Sequence, residues 1–349
     1  MSEYDRPAAA AGALRLHLNE NTGGCSAAVL DVLRRLTRED AAFYPDYDAA
    51  YAAVAARLGI PVEWLLLTNG LDEGILATTA AALRDRTRAG VPQGITLQPA
   101  FDMYEICTEA LGGEVVRVPL GPAFAFPARA IAGAIADRTR VVFLTNPHNP
   151  TGLPVSRADL LGVIRRAAPA LVLLDEAYID FGGETLVDRE VMEAHPNLIV
   201  GRTFAKAYGL AGLRVGALIA SPATLAPLRP IVPPYSLNAW AAAALPAAME
   251  DRAHVEWYRA QAAESRRLLT DACARLGLRT WPSAANFMLV YAGGRASGIA
   301  RDLAARGIQV RDKSSEAGTE GCLRITTGVV DHTRRLIAAL EEVACAADA

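Results

Sequence analysis

Arg140-Val141-Val142-Phe143-Leu144-Thr145-Asn146-Pro147-His148-Asn149-Pro150-Thr151-Gly152 is the stretch on which the fold turns. An apolar run of strand length leads into two Asn-Pro pairs, which force a stiff, extended loop. Residues 159–167 then read as a helix, and Leu171-Val172-Leu173-Leu174-Asp175 as a second apolar strand ending in a carboxylate. Strands that are apolar on successive residues are buried on both faces. That calls for a mostly parallel sheet covered by helices on each side.

The same alternation extends both ways. Upstream, strands are expected at 64–68, 94–97 and 114–118, and helices at 27–36, 47–58, from Glu73 onward, 104–111 and 128–136. Downstream, a strand is expected at 198–200. From about residue 245 the texture changes. A long helix at 252–276 precedes strands at 286–290, 309–311 and 322–326, a helix at 297–306 and a terminal helix. The expected class is α/β, with a large domain over 41–245 and a smaller α+β domain built from 1–40 and 246–349.

With 349 residues, 52% hydrophobic and 21% charged, the chain can bury the core of two domains. Its formal charge is −3 with no long run of either sign, so no basic stripe marks a nucleic-acid partner. Cys25, Cys107, Cys273, Cys322 and Cys345 are scattered without a C-x-x-C pair, which indicates neither a zinc site nor a disulfide framework. A reducing cytoplasm suits them. No apolar run reaches membrane-spanning length, and the acidic start Met1-Ser2-Glu3-Tyr4-Asp5 does not read as a signal peptide. No DNA-binding arm is expected ahead of residue 16, which weighs against a ligand-sensing regulator. Asp72-Glu73 has no third ligand nearby, so no metal is expected.

Chemistry concentrates in Arg202-Thr203-Phe204-Ala205-Lys206-Ala207-Tyr208-Gly209-Leu210-Ala211-Gly212-Leu213-Arg214-Val215-Gly216. An apolar setting lowers a lysine's pKa, so more of it is the nucleophilic amine. Thr203 and Arg214 flank Lys206 and can hold an anion. Asn149 offers an amide from its stiff loop, Asp175 can pair a buried cation such as a ring nitrogen, and Tyr178 can reach the same space. Asn69-Gly70-Leu71-Asp72 lies between strand and helix, where backbone N–H groups make a phosphate site. Each motif alone also reads as a turn, a solvated acid or a glycine-rich helix start. Together they ask for one ligand with an aldehyde, a phosphate, a phenolic oxygen and a basic ring nitrogen. Pyridoxal 5'-phosphate carries all four.

The order Asn-Pro-x-Asn-Pro-Thr-Gly, Asp-Glu-Ala-Tyr, and Thr-x-x-Lys with an arginine eight later resembles the fold-type I aminotransferases of class I/II. Within them it is similar to the histidinol-phosphate aminotransferase branch. That branch is matched by Leu18-Asn19-Glu20-Asn21, Tyr44-Pro45, Asn69-Gly70-Leu71-Asp72-Glu73-Gly74, Ala211-Gly212-Leu213-Arg214 and Cys322-Leu323-Arg324-Ile325-Thr326. The resemblance implies the aspartate aminotransferase-like fold, with a mostly parallel seven-stranded sheet in the large domain. It implies Lys206 as the Schiff-base lysine and the base that moves the Cα proton. Asp175 then pairs the pyridine nitrogen, and Asn149 and Tyr178 bond the phenolic oxygen. Thr203, Arg214 and the Gly70, Leu71 and Asp72 turn hold the phosphate, and Phe101 stacks on the ring with Tyr104 as fallback. Tyr44 reaches the neighbouring subunit's cofactor, so a homodimer with shared sites is implied. Arg324 and Arg311 take the substrate's carboxylate or phosphate, with Tyr235, Asn21 and Glu20 also on the substrate side.

The reaction implied is a ping-pong exchange of an amino group between an amino acid or amino-phosphate and a 2-oxo acid, as in amino-acid biosynthesis. The same motifs occur in phosphothreonine decarboxylases, which lose carbon dioxide from Cα instead of a proton. Departures gather on the substrate side. Ala205 stands where the branch has serine, His17 where it often has asparagine, and Thr22 where it has proline; Ser236 and Asn238 also differ, and Tyr4 is two positions from an arm tyrosine. They leave room for a specialised substrate.

Overall fold

The computed structural model describes residues 11–84 and 90–347, without the side chains of the last four; Tyr4 and the Cys345 side chain lie outside the described set. Among the described residues, twelve strands form two sheets: β1 (Leu14–Leu16), β2 (Leu65–Thr68), β3 (Gln93–Gln98), β4 (Glu114–Pro119), β5 (Thr139–Thr145), β6 (Leu171–Asp175), β7 (Leu198–Thr203), β8 (Gly216–Ile219), β9 (Arg279–Thr280), β10 (Phe287–Tyr291), β11 (Ile308–Asp312) and β12 (Cys322–Thr326).

The larger sheet has seven strands in the order β2-β8-β7-β6-β5-β3-β4. All pairs from β4 to β7 are parallel, while β8 runs antiparallel to both β7 and β2. β5 and β6 are buried almost throughout, as double-sided coverage requires. Register sets Thr145 opposite Asp175, Asp175 opposite Gly201, and both Thr203 and Thr68 opposite Gly216. The carboxyl ends of four strands therefore finish along one rim, where open α/β sheets bind ligands.

The smaller sheet runs β1-β11-β12-β10-β9. β1 joins it by parallel pairing with β11, across nearly the whole length of the chain. One core lies around the larger sheet; a second gathers Leu14, Leu16, Leu269, Leu303, Ile325 and Leu340 around the smaller one. These cores depart from the expected segments in two places. The helix Ala27–Arg34 buries Val29 in the larger core, and the helix Ala239–Glu250 crosses residue 245 with its buried face in that same core.

That second helix and β8 are absent from the sequence reading. The helix is mostly alanine and carries Pro246, so no apolar stripe marks it. β8 is four residues, Gly-Ala-Leu-Ile, too short for a period to show. Its Gly216 is required by packing. A Cβ there would lie 2.6 Å from the backbone nitrogen of Leu71, so only glycine lets β8 approach the start of the helix Gly70–Leu83.

Candidate active site

A cavity of about 450 Å³ opens on the strand-end rim, between the two sheets. Lys206, Asp175, Asn149, Tyr178, Thr203, Arg214, Leu71, Asp72, Phe101, Arg324, Arg311 and Glu20 all line it. Twelve residues singled out from scattered motifs thus converge on one space. Four do not. Gly70 lies just behind Arg214, whose Nη2 would be 2.6 Å from a Cβ at that position. Asn21 faces an adjoining groove and donates to the Ala207 carbonyl at 3.1 Å. Tyr44 and Tyr235 stack on each other at 4.1 Å and are 76% and 54% exposed, away from this chain's cavity.

The lysine loop is fixed from both sides. Phe204 N–H donates to the Val215 carbonyl, and Leu210 N–H to the Phe204 carbonyl. Gly209 adopts φ +73°, and a Cβ there would sit 2.4 Å from the Gly24 carbonyl, so the N-terminal segment is clamped against the loop. Lys206 Nζ donates to the Leu18 carbonyl at 2.9 Å. Burial, and then the charge of Arg324, lower its pKa to about 8. Thr203 Oγ1 accepts the Ala205 N–H at 3.2 Å.

Asp175 is buried at the end of β6, and burial raises its pKa to about 6. Its oxygens accept from the Tyr104 hydroxyl at 2.6 Å and the Ala177 N–H at 2.8 Å. Tyr104 was expected only as an alternative stacking ring. It instead lies edge-on to Phe101, at 5.8 Å and 88°, and holds Asp175. Nothing in the chain's order announces that contact, because 71 positions separate the two residues.

At the rim, the helix Gly70–Leu83 starts without a side-chain cap, leaving N–H groups of its first turn free for an anion. Arg214, at φ 55°, reaches this turn and pairs with Asp72 at 2.7 Å. At the opposite end, Arg324 donates to Asn149 Oδ1 at 2.7 Å and to the His17 carbonyl at 3.0 Å. Tyr178 accepts from Asn19 Nδ2 at 3.1 Å. Arg311 and Arg324 are direct cross-strand partners on β11 and β12. Glu20 pairs with Arg15, and Lys313, which also lines the cavity, pairs with Glu316. His17 is buried with neither ring nitrogen hydrogen-bonded. Burial, followed by the charges of Arg15, Arg311 and Arg324, lowers its pKa to about 4. His148, expected as a variable loop residue, is buried, with Nδ1 2.9 Å from Thr151 Oγ1.

This fold and this rim of charges define the class. The chain belongs to the family described as Aminotransferase class I and II, matched over residues 12–340. It is 36% identical to the histidinol-phosphate aminotransferase of Symbiobacterium thermophilum, over 94% of this chain and 90% of that protein. It is 34% identical to that of Moorella thermoacetica, over 98% and 88%. The solved structure of the Sinorhizobium meliloti histidinol-phosphate aminotransferase in complex with pyridoxal-5'-phosphate superposes with a TM-score of 0.83 at 27% identity, covering 96% and 91%. The protein is therefore a pyridoxal-phosphate-dependent aminotransferase of the histidinol-phosphate aminotransferase type, with the aspartate aminotransferase-like fold.

The side chains present fit that cofactor. Asp175 is a buried carboxylate whose hydrogen-bond donors are both neutral, a setting that a cationic ring nitrogen completes. Lys206 supplies a depressed-pKa amine, and the uncapped helix start with Arg214 supplies an anion site.

Proposed function

We propose that this aminotransferase takes histidinol phosphate as its amino donor and passes the amino group to a 2-oxo acid. The observation that carries the reading is the Arg311–Arg324 cross-strand pair at the cavity end. Like charges set directly opposite are costly unless an anion lies between them. A guanidinium fork binds a carboxylate or a phosphate in a bidentate way, so the pair supports an anionic substrate. The names of the relatives point to the same substrate.

Roles follow for this chain's residues. Lys206 would take the cofactor's aldehyde, and Asp175 would pair the ring nitrogen. Asn149 and Tyr178 would bond the phenolic oxygen, Phe101 would cover the ring, and Thr203, Arg214 and the Gly70-Leu71-Asp72 turn would hold the phosphate. Bound there, pyridoxal phosphate supplies the aldehyde for the substrate amine and the sink for the electrons left at Cα. With the cofactor bound, Lys206 Nζ would be the base that takes the substrate's Cα proton and the acid that passes it on, a role that its lowered pKa suits near neutrality. Leu18 carbonyl aims that amine, and Arg324 aims the substrate. Glu20 stands on the substrate side, Asn21 would border it from the adjoining groove, and Tyr235, like Tyr44, would serve the partner's site.

The active unit in this reading is a homodimer, supported by the exposed Tyr44–Tyr235 stack, with Tyr44 serving the partner's cofactor. We assign the enzyme to the cytoplasm on its scattered cysteines; among the described residues no helix is long and apolar enough to cross a membrane. We keep the proposed division at 41–245 for the large domain against 1–40 and 246–349 for the small one, a boundary that falls inside the helix Ala239–Glu250.

Purified protein should carry a visible cofactor band, and borohydride should fix the label on Lys206. Histidinol phosphate should bleach that band in a half-reaction panel of amino acids. Bleaching by another amino acid alone would overturn the substrate, and carbon dioxide release would make the enzyme a decarboxylase.

A further inference from the structure

We infer that Tyr104 and Thr145 form a one-way hydrogen-bond chain whose task is to keep Asp175 an ionised acceptor in its apolar setting. Tyr104 is a positioning residue in this scheme, acting on the cofactor only through Asp175. The inference rests on the reading of Asp175 as the partner of the ring nitrogen.

Three observations carry it. The Tyr104 oxygen lies 2.6 Å from Asp175 Oδ2 and 2.9 Å from Thr145 Oγ1. A phenol has one proton. If Tyr104 gives it to the carboxylate, its oxygen must accept from Thr145, so the chain runs Thr145 to Tyr104 to Asp175. Each donation strengthens the next where the local dielectric is low.

The ring cannot swing away. It is stacked on Phe143 at 5.0 Å and 10°, met edge-on by Phe101, and almost completely buried. The strand register also presets the geometry, because Thr145 and Asp175 are direct partners at the ends of β5 and β6. A ring whose only duty was packing would not need its hydroxyl between two polar strand ends.

The chemistry gives a direction. Burial favours the protonated carboxyl, and a protonated carboxyl has no attraction for a protonated pyridine. The Tyr104 hydrogen bond opposes burial, drawing the Asp175 pKa down from where burial alone would leave it. Tyr104 itself stays a phenol, its own pKa raised well above the ordinary value by burial and by Asp175.

The test is cofactor affinity against pH, measured by dialysis and absorbance on wild type, Tyr104→Phe, Thr145→Val, Thr145→Ser and Asp175→Asn. Wild-type affinity should fall as pH drops through the Asp175 pKa of about 6. Tyr104→Phe keeps the ring and loses the donor. The midpoint should move up by about one pH unit, so affinity should fall about twofold at pH 7 and close to tenfold at pH 5. Thr145→Val should show a smaller shift of the same sign, and Thr145→Ser should restore the wild-type curve.

A Tyr104→Phe curve that overlays wild type overturns the inference. So does a uniform loss at every pH, which marks a packing role only. Asp175→Asn separates the two levels. If it binds cofactor as wild type does, the assignment of Asp175 fails; if it loses affinity while Tyr104→Phe does not, only the chain fails.

Discussion

At a pKa of about 8, Lys206 is roughly one-tenth free amine at pH 7, against well under a thousandth for an ordinary lysine. That difference is the residue's qualification as nucleophile and base. Lys206→Ala should lower the rate of the half-reaction by about a hundredfold or more, measured in single turnover, with the fold intact by circular dichroism. The same shift has a stability consequence in cofactor-free protein. Between pH 8 and 10.5 the unfolded lysine holds its proton while the folded one has released it. Folding stability therefore rises with pH across that window, by about 1.4 kcal/mol per pH unit at most, and Lys206→Met should flatten the slope. Denaturant melts of both proteins check this. His17 works in the acid range. Its folded pKa of about 4 lies below the unfolded 6.5, so stability is lost as pH falls from 6.5 toward 4. His17→Asn should lose less over that interval than wild type; an identical decline would show that the imidazole titrates alike in the folded and unfolded chain.

Lys206 was legible because one lysine among apolar neighbours is rare, and Asp175 because it ends an apolar run. His17 as an unpartnered imidazole and Tyr104 as the partner of Asp175 were not legible. Both depend on contacts between distant segments, and neither residue type nor spacing encodes those.

Among elements, the pair β6–β7 carries the most chemistry, and a buried ion cluster pins it. Arg202, beside Thr203, reaches Glu176 at 3.0 Å and Asp180 at 3.1 Å. Glu176, beside Asp175, also accepts from Thr185 at 2.6 Å and from the Leu186 N–H at 2.7 Å. Breaking a buried pair by removing one partner costs about 3–5 kcal/mol, because the other charge stays buried and alone. Arg202→Met should lose that much in denaturant unfolding. It should also loosen cofactor binding, since the tips bearing Asp175 and Thr203 lose their common anchor. Arg214→Met is the contrast. Its pair with Asp72 is 46% exposed on each side, so it should cost under about 1 kcal/mol of stability while weakening the hold on the phosphate. Strands of this kind were readable as apolar runs. The clamp between them was not, because Asp-Glu and Arg-Thr look like ordinary strand ends until the register sets them side by side.

For the whole molecule, the sequence reading captured a mostly parallel sheet followed by a differently textured α+β region. It placed the helix Ala27–Arg34 in the small domain, yet the structure buries Val29 in the larger core. Short amphipathic helices carry no mark of which core they join; packing decides that. Oligomeric state is a property of the same order. Tyr44 and Tyr235 stack on each other at the surface, and neither touches this chain's cavity; the proposed dimer gives them a site to serve. In a two-fold dimer each subunit can lend Tyr44 to the other's site. Tyr44→Ala should then weaken cofactor binding about ten- to a hundredfold, the cost of a hydrogen bond to a charged group. Mixing decides between subunits. When Tyr44→Ala and Lys206→Ala proteins are refolded together, about half the dimers are mixed, and each mixed dimer regains one complete site, with Lys206 from one chain and Tyr44 from the other. Activity should recover to about a quarter of wild type. If Tyr44 acts on its own chain, the mixed dimer contains no complete site. Activity then stays at the sum of the two crippled parents, and the shared-site dimer is refuted.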